Sequence, residues 1–197
     1  MSYPDYTPLV RSMLKPERFV HSVNVAQQAL KLAQHYHASP QLCEKAYTAG
    51  ILHDICKNMS HEEQLHWIEK SGIILDDVIA AQPQVWHGIA ASVYLKEELS
   101  IEDEDLLHAV RYHTLGRRGM SQLEMIVYLA DLTSAERNYP DVDEMRQAVM
   151  RSLEEGMYRS LAFSLQSLLQ KKQPIAQDSW EAYNQYLAIF LNSHSTR

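Results

Sequence analysis

Apolar residues recur at the three- and four-residue spacing of an α-helix through almost the whole chain, and this pattern limits the fold most. The stretch that begins at Pro16 is an example, with apolar positions at Phe19, Val20, Val23, Ala26, Leu30 and Ala33. Sustained alternation typical of strands is absent from the sequence, as are the Asn-Gly and Asp-Gly dipeptides of tight hairpins. We therefore predict an all-α fold.

Capping residues and prolines divide this pattern into separate helices. Pro16 suits the first position of a helix, and Ser39 before Pro40 is a typical N-cap. Ser60 and Glu63 have the spacing of a capping box. We predict helices over residues 8–14, 16–33, 40–54, 60–72, 87–99, 103–112 (capped by Ser100 or Asp103), 121–131, 141–152, 153–170 and 179–192, with a loop at 171–177.

The composition of the chain excludes several classes of protein. It has 197 residues, of which 46% are hydrophobic, and a formal net charge of -7. That charge argues against a broad basic surface for nucleic acid. No apolar run approaches ~18 residues, and the first residues lack the basic and apolar regions of a signal peptide. We expect one domain, located in the cytoplasm, with neither nucleic acid nor membrane as a partner.

A His-Asp doublet, His53-Asp54, lies among apolar helical residues in the stretch 49–57. Burying such polar groups costs about 1–3 kcal/mol each unless they are partnered, and a bound cation is one such partner. At a helix end, both side chains can reach one ion through an imidazole nitrogen and a carboxylate oxygen. Further candidate ligands are His21, His87, His113 and Asp131. Together they predict a metal-dependent phosphohydrolase site.

The ligand types limit the choice of metal. Mixed nitrogen and oxygen ligands suit iron, manganese or another divalent transition metal, and no thiolate pair is present to favour structural zinc. Each residue taken alone also has a structural interpretation. His21 could be a half-exposed polar residue, His87 a helix cap, His113 a hydrogen-bonded core residue and Asp131 a cap of the next turn.

The order of these motifs resembles that of the HD-domain superfamily, in which a histidine, a His-Asp doublet and a later aspartate bind metal on a helical bundle. His21, His53, Asp54 and Asp131 match that order. From about Arg18 to Asn184 the chain also resembles the YqeK family of bacterial HD hydrolases. The matching motifs are His21-Ser22-Val23, AGILHDICK at 49–57, His87-Gly88-Ile89-Ala90-Ala91, His113-Thr114-Leu115-Gly116 and YLADLTSAER at 128–137.

The resemblance implies symmetrical hydrolysis of diadenosine tetraphosphate to two ADP, with one or two iron ions as cofactor. It implies that His21, His53, Asp54 and Asp131 bind metal. His87 and His113 would complete a second metal position or contact phosphate, with Asp54 able to bridge. The catalytic residues are then Asp54, His87, His113 and Lys57. Two cations about 3.5–4 Å apart can hold an attacking hydroxide and neutralise the transferring phosphoryl group.

The resemblance also implies a set of nucleotide contacts. They are His21, Asn24, Asp54, His87, His113, Thr114, Asp131, Arg137, Lys172, Gln173, Pro174, Ile175, Ala176 and Gln177. The planar guanidinium of Arg137 suits a phosphate oxygen, and Lys57, Arg117 and Arg118 are further candidates for phosphate charge. The chain has Ala176 where the family commonly has a histidine, which bears on the base or ribose contact. Ala135 replaces a common proline.

The same resemblance predicts how the chain is organised. Residues 1–197 would form one HD-domain helical bundle. Its metal-binding core would span 17–137, and the helices of 138–197 would complete the bundle and the nucleotide site. The sequence leaves a homodimer open.

The residues leave three other functions open. The same metal site could hydrolyse a mononucleotide or a signalling nucleotide. The same histidine and aspartate ligands could hold redox-active iron in a diiron oxygenase. The altered loop around Ala176 admits a nucleotide-binding regulator without turnover, against which the intact doublet and His113 argue.

Overall fold

The computed structural model describes residues 3–195, which fold into helices with no strand in that range. The all-α prediction is therefore confirmed. The helices are α1 (Thr7–Met13), α2 (Pro16–His35), α3 (Pro40–Leu52), α4 (His61–Lys70), α5 (Asp77–Ala80), α6 (Trp86–Leu99), α7 (Glu104–Arg111), α8 (Gln122–Thr133), α9 (Val142–Arg151), α10 (Leu153–Gln170) and α11 (Gln177–Ser195). A 3₁₀ turn at Pro83–Val85 leads directly into α6.

Side-chain caps begin the helices where the sequence predicts them. Ser60 and Glu63 form both halves of a capping box at the start of α4. Of the two candidate caps before α7, Asp103 accepts a hydrogen bond from the backbone N–H of Leu106. Ser100 instead ends α6 in a left-handed conformation, with φ at 53°.

Helices α2 and α3 approach each other closely at Gly50. A Cβ on Gly50 of α3 would lie 2.7 Å from Cα of Ala26 on α2, a distance that real Cβ atoms do not show. Gly50 therefore allows two helix backbones to meet just before His53. This approach places the rings of His21 and His53 side by side, with 5.3 Å between their centroids.

Helix α8 connects the earlier helices of the bundle with the C-terminal helices. It contacts α2, α3 and α7 on one side and α10 on the other. Its residues Ile126, Val127 and Ala130 are completely buried. Helix α10 in turn packs against α9 and α11, so the C-terminal helices cover α8 and bring loop 171–176 close to the end of α7.

Some helix boundaries differ from the sequence prediction. Helix α5 was not predicted, because four residues are too few to show a helical period. Helix α6 begins at Trp86, one residue early, and α11 begins at Gln177 rather than 179, so Gln177 leaves the predicted loop. Among the described residues, no helix is long and apolar enough to cross a membrane.

Candidate functional site

Six side chains from five parts of the fold meet in the interior. His21 comes from the second turn of α2, and His87 from the first turn of α6. His53 and Asp54 follow the last residue of α3, and His113 follows α7 by two residues. Asp131 lies in the last turn of α8. Helix ends therefore supply most of the cluster, and a helix end allows side chains to converge that a regular helix would separate.

The carboxylate of Asp54 lies at the centre of the cluster. Its Oδ1 atom is 3.0 Å from Nε2 of His87 and 3.7 Å from Nε2 of His113. Its Oδ2 atom is 3.4 Å from Nε2 of His53 and 3.7 Å from Nε2 of His21. Each carboxylate oxygen thus faces a different pair of imidazoles, an arrangement that permits one carboxylate to bridge two positions.

Backbone carbonyls fix the orientation of two of these imidazoles. Nδ1 of His53 donates to the carbonyl of Gly50 at 2.7 Å, and Nδ1 of His113 donates to the carbonyl of Val110 at 2.7 Å. A carbonyl only accepts, so both Nδ1 atoms carry the proton and both Nε2 atoms are left with a free lone pair. Those lone pairs face Asp54. Both imidazoles are thus in the tautomer that can bind a metal through Nε2.

His21 is oriented by a side chain that the sequence interpretation did not single out. Its Nδ1 atom donates to Oε1 of Glu136, which follows α8. Glu136 is held in turn by Ser134 Oγ at 2.8 Å and Asn24 Nδ2 at 2.7 Å. Asn24, predicted to contact the nucleotide, therefore supports Glu136. Glu136 lies within the matching motif at 128–137, but its contact with His21 exists only in the fold.

The donor atoms fit a divalent cation. Three groups of three ligand atoms each lie within 4.8 Å of one another: His21, His53 and Asp54; His53, His113 and Asp131; and Asp54, His87 and His113. The Nε2 atoms of His21 and His53 are buried and make no hydrogen bond to any residue of the described range. Buried polar atoms without partners are costly, and a cation bound to both Nε2 atoms would provide that partner.

The electrostatics of the cluster favour ionised carboxylates. Burial by itself raises the pKa of Asp54, but the imidazoles of His53, His113 and His87 around the carboxylate hold that pKa well below its usual value. Asp131 is half-buried, and although desolvation raises its pKa, His21, His53 and Arg137 keep that pKa low. These are the protonation states in which carboxylates bind metal.

Burial acts on His87 and Lys57 in the opposite direction. It lowers the pKa of His87 to about 4, although the hydrogen bond to Asp54 opposes the shift. Burial also lowers the pKa of Lys57, whose Nζ atom lies 3.2 Å from Nδ1 of His87. A neutral His87 is free to coordinate a cation, and Lys57 brings an ammonium group to the edge of the cluster.

Two arginines flank the carboxylates. Nη1 of Arg18 lies 2.9 Å from Oδ2 of Asp54. Arg137 donates to the Asp131 carboxylate and, through Nε, to the Asp131 backbone carbonyl at 2.9 Å. Arg137 was predicted to contact phosphate, whereas Arg18 was only the first residue of the matched region. Arg117 instead forms a two-point ion pair with the buried Glu124, so its charge is already used in the core.

An open cleft of about 450 Å³ adjoins the His21 side of the cluster. Arg18, His21, Glu136 and Arg137 line its inner part, and Lys15 lies on its wall. The cleft gives a solute access to the two arginines that flank the carboxylates.

A second cavity, of about 250 Å³, lies towards the His113 end of the cluster. Thr114, the residue after His113, lines it together with Gln173 and Ala176 from the predicted nucleotide loop. Ala176 is buried, and the Oγ1 atom of Thr114 is buried with no hydrogen bond to a described residue. Ile175 and Gln177 line a different surface groove, and Lys172 and Pro174 are exposed. The predicted nucleotide loop therefore faces more than one surface.

Comparison with known proteins agrees with this geometry. Residues 18–136 match the HD domain family. Curated relatives from Bacillus subtilis and Halalkalibacterium halodurans are 33% and 35% identical, over 89% and 91% of this chain and 92% and 94% of theirs. Both carry the name symmetrical bis(5'-nucleosyl)-tetraphosphatase.

The fold is also similar to a solved structure. A crystal structure from Clostridium acetobutylicum, described as a predicted HD superfamily hydrolase, superposes with a TM-score of 0.89 at 29% identity. The match covers 95% of this chain and 99% of that one.

Proposed function

The chain belongs to the HD-domain family, and within it to the bacterial family of symmetrical bis(5'-nucleosyl)-tetraphosphatases; from this membership we propose that it hydrolyses diadenosine tetraphosphate symmetrically to two ADP. One observation carries the proposal. The Nε2 atoms of His21 and His53 are buried without hydrogen bonds beside the Asp54 carboxylate. A metal-dependent phosphohydrolase accounts for that arrangement, and a purely structural polar cluster does not.

The proposed ligands divide into two sets that share Asp54. The first set is His21, His53, Asp54 and Asp131. The second is Asp54, His87 and His113. We propose iron as the metal, in one or two ions, because imidazole and carboxylate ligands suit it, and manganese suits the same ligands. A divalent metal held there supplies neutralisation of phosphate charge and an activated water as nucleophile.

The protein's own side chains do the positioning. The guanidinium groups of Arg137 and Arg18 project to the cleft beside the cluster and suit oxygens of the polyphosphate. The ammonium of Lys57 adds a donor on the His87 side. Together they would hold the polyphosphate of the substrate so that its central bridging oxygen lies over the six proposed ligands. They would also stabilise the negative charge that develops as the bond to that oxygen breaks.

Hydrolysis at the central bridge balances with one water molecule. The water oxygen bonds to one central phosphorus, and the bridging oxygen leaves with the other half of the substrate. Each half is then an ADP. A diphosphate is a stable anion, so the leaving group needs charge stabilisation from Arg137 and Lys57 more than it needs a strong acid.

The C-terminal helices contribute the nucleoside site. We propose that one nucleoside occupies the cavity at Thr114, whose walls include α10 residues Leu161, Leu165 and Leu168. An apolar cavity with a few polar groups is typical of sites for a nucleobase. In this proposal residues 17–137 hold the metal, and 138–197 complete the single bundle and its nucleotide site.

The net charge of -7 supports a small nucleotide as substrate in preference to nucleic acid. We place the protein in the cytoplasm, where nucleotides are made and consumed. Fractionation of cells that express a tagged copy tests the location: recovery in the membrane fraction would contradict it.

Metal-dependent turnover tests the proposed function. The protein is freed of metal, then reconstituted without oxygen using Fe²⁺ or Mn²⁺ and incubated with diadenosine tetraphosphate. ADP is the expected sole product, and it should be absent both from metal-free protein and from the Asp54→Asn variant. Gln64→Ala, which changes a buried polar residue outside the cluster, is the control for folding. Equal ADP formation by metal-free protein would contradict the proposal.

A further inference from the structure

The two cavities at the metal cluster differ in chemistry, although the two halves of the proposed substrate are identical. Cleavage at the central bridge requires one adenosine diphosphate unit on each side of the cluster. The cavity at Thr114 is mostly apolar and lies at the His87 and His113 end. The cleft at His21 is open and lined by charged groups. The cleft adjoins the His21 side of the cluster, across the Asp54 carboxylate from His87 and His113, which is where the second half would lie.

Three cations line that cleft: Lys15, Arg18 and Arg137. The two arginines are paired with the carboxylates of Asp54 and Asp131. Lys15 differs from them, because its side chain is exposed and forms no ion pair within residues 3–195. Its backbone N–H donates to Asn58 Oδ1 at 2.8 Å, which fixes its position at the start of α2. A protein of net charge -7 thus places an uncommitted ammonium beside its metal ligands.

Two acidic residues also line the cleft. Glu136 accepts hydrogen bonds from His21, Asn24 and Ser134, and Glu17 is exposed. The cleft therefore has three cationic side chains against two carboxylates, one of which is already hydrogen-bonded within the fold.

The cleft offers little to a nucleobase. Its aromatic residue is Tyr139, whose ring already stacks on Phe163 with 4.8 Å between centroids. The Tyr139 hydroxyl donates to the backbone carbonyl of Leu132 at 3.1 Å. One face of the Tyr139 ring and its hydroxyl group therefore already make contacts within the fold. The cleft volume of about 450 Å³ is nevertheless in the range of small-molecule sites.

We propose that the cleft is the subsite for the distal half of the dinucleotide, and that it binds this half through its phosphates, with Lys15 and Arg18 as donors, rather than through its base. This inference rests on the proposed function. It makes Lys15 a substrate-binding residue, and it assigns base recognition to the Thr114 cavity alone. The enzyme would then cleave substrates regardless of which chemical group is attached to the distal phosphates.

A substrate pair and a charge-reversal variant test the inference. Diadenosine tetraphosphate is compared with adenosine 5'-tetraphosphate, which lacks the distal nucleoside and yields ADP and pyrophosphate on the same cleavage. The variants are Lys15→Glu and the milder Lys15→Gln. Lys31→Glu is the matched control, because Lys31 is also exposed on α2 but lies 16 residues further on, about 24 Å along the helix axis.

The expected results are specific. The wild-type protein should cleave both substrates with similar kcat/KM. Lys15→Glu should lower kcat/KM for both by about tenfold or more, the size of one lost charge-assisted hydrogen bond, and Lys15→Gln should lower it less. Lys31→Glu should change neither. Circular dichroism should show the same helix content in all variants.

Two results would overturn the inference. One is an unchanged kcat/KM in Lys15→Glu while the wild type remains active. The other is a loss of more than about a hundredfold for wild-type protein on adenosine 5'-tetraphosphate, which would mean that the distal base is recognised. Both leave the proposed function intact. A wild-type protein that cleaves neither substrate would contradict the proposed function itself, and this inference with it.

Discussion

Glu136 and His21 are joined by a hydrogen bond across 115 positions of sequence, from Nδ1 of the imidazole to the carboxylate. The bond fixes the His21 tautomer and turns Nε2 towards Asp54 and Asp131. Carboxylates that orient metal-binding histidines in this way influence metal affinity without touching the metal. Backbone carbonyls orient His53 and His113, whereas the orientation of the proposed ligand His21 can be changed by a side-chain substitution.

Glu136→Ala should therefore weaken metal binding by about 10- to 100-fold, and Glu136→Gln, which keeps an acceptor, should weaken it less. Titration of metal-free protein with Mn²⁺, followed by electron paramagnetic resonance of the free ion, measures this affinity. Glu17→Gln serves as the control, since Glu17 lines the same cleft, whereas the carboxylates that pair with the His21 ring are those of Asp54, Asp131 and Glu136. An unchanged affinity in Glu136→Ala would show that the His21 orientation does not depend on this carboxylate.

Metal-free protein should lose stability as the pH falls from about 6.5 to about 4. Burial lowers the pKa of His87 to about 4 in the folded state, against 6.5 when it is exposed. Between these values the unfolded chain binds a proton that the folded chain does not, so acidification favours unfolding. The full shift corresponds to about 3 kcal/mol.

Urea unfolding at several pH values measures this loss. His87→Asn should have a flatter profile in that range. Asp54 and Asp131, whose pKa values are lowered from 3.8 in the folded state, add a loss of stability that begins at about pH 5 and continues below about 4, so the His87 contribution is read between about pH 6.5 and 5. The interpretation would be wrong if wild type and His87→Asn lost the same stability.

Gly50→Ala should destabilise the protein and lower metal affinity together. The added methyl would lie 2.7 Å from the Ala26 backbone, so α2 and α3 must separate. Overpacking of this kind costs about 1–3 kcal/mol. Because His21 is on α2 and His53 follows α3, separation also moves two ligands apart. Thermal unfolding and Mn²⁺ titration check the two effects, and the exposed Gln41→Ala on α3 is the control. A Gly50→Ala variant with wild-type stability would contradict the packing argument.

The fold could be predicted because each of its longer helices is marked by residues within its own stretch of sequence. Periodic apolar residues and caps such as Ser60 give most of the helices to within a residue or two. Helix α5 was missed because it is held by one Asp76 cap and by tertiary contacts, not by a pattern of its own. The start of α11 was placed late because Gln177 has no capping signature.

The candidate site could be predicted only as far as its residues carry a recognisable motif. The doublet His53-Asp54 and the motifs around His87, His113 and Asp131 named side chains that the fold brings together, and their roles as ligands remain predictions. Glu136 lies within the motif at 128–137 and Arg18 begins the matched region, but neither was assigned a role. Their importance comes from distances between helices, which a single sequence does not contain. Asn24 contacts Glu136, and its contact with the nucleotide remains a prediction.

The central claim is attack of water at the middle of the polyphosphate, and oxygen labelling tests it most directly. Metal-reconstituted protein is incubated with diadenosine tetraphosphate in water enriched in ¹⁸O, and the products are analysed by mass spectrometry. The account predicts ADP as the only nucleotide product, with one ¹⁸O atom on the terminal phosphate of half of the molecules. AMP together with ATP, or ADP without label, would contradict it.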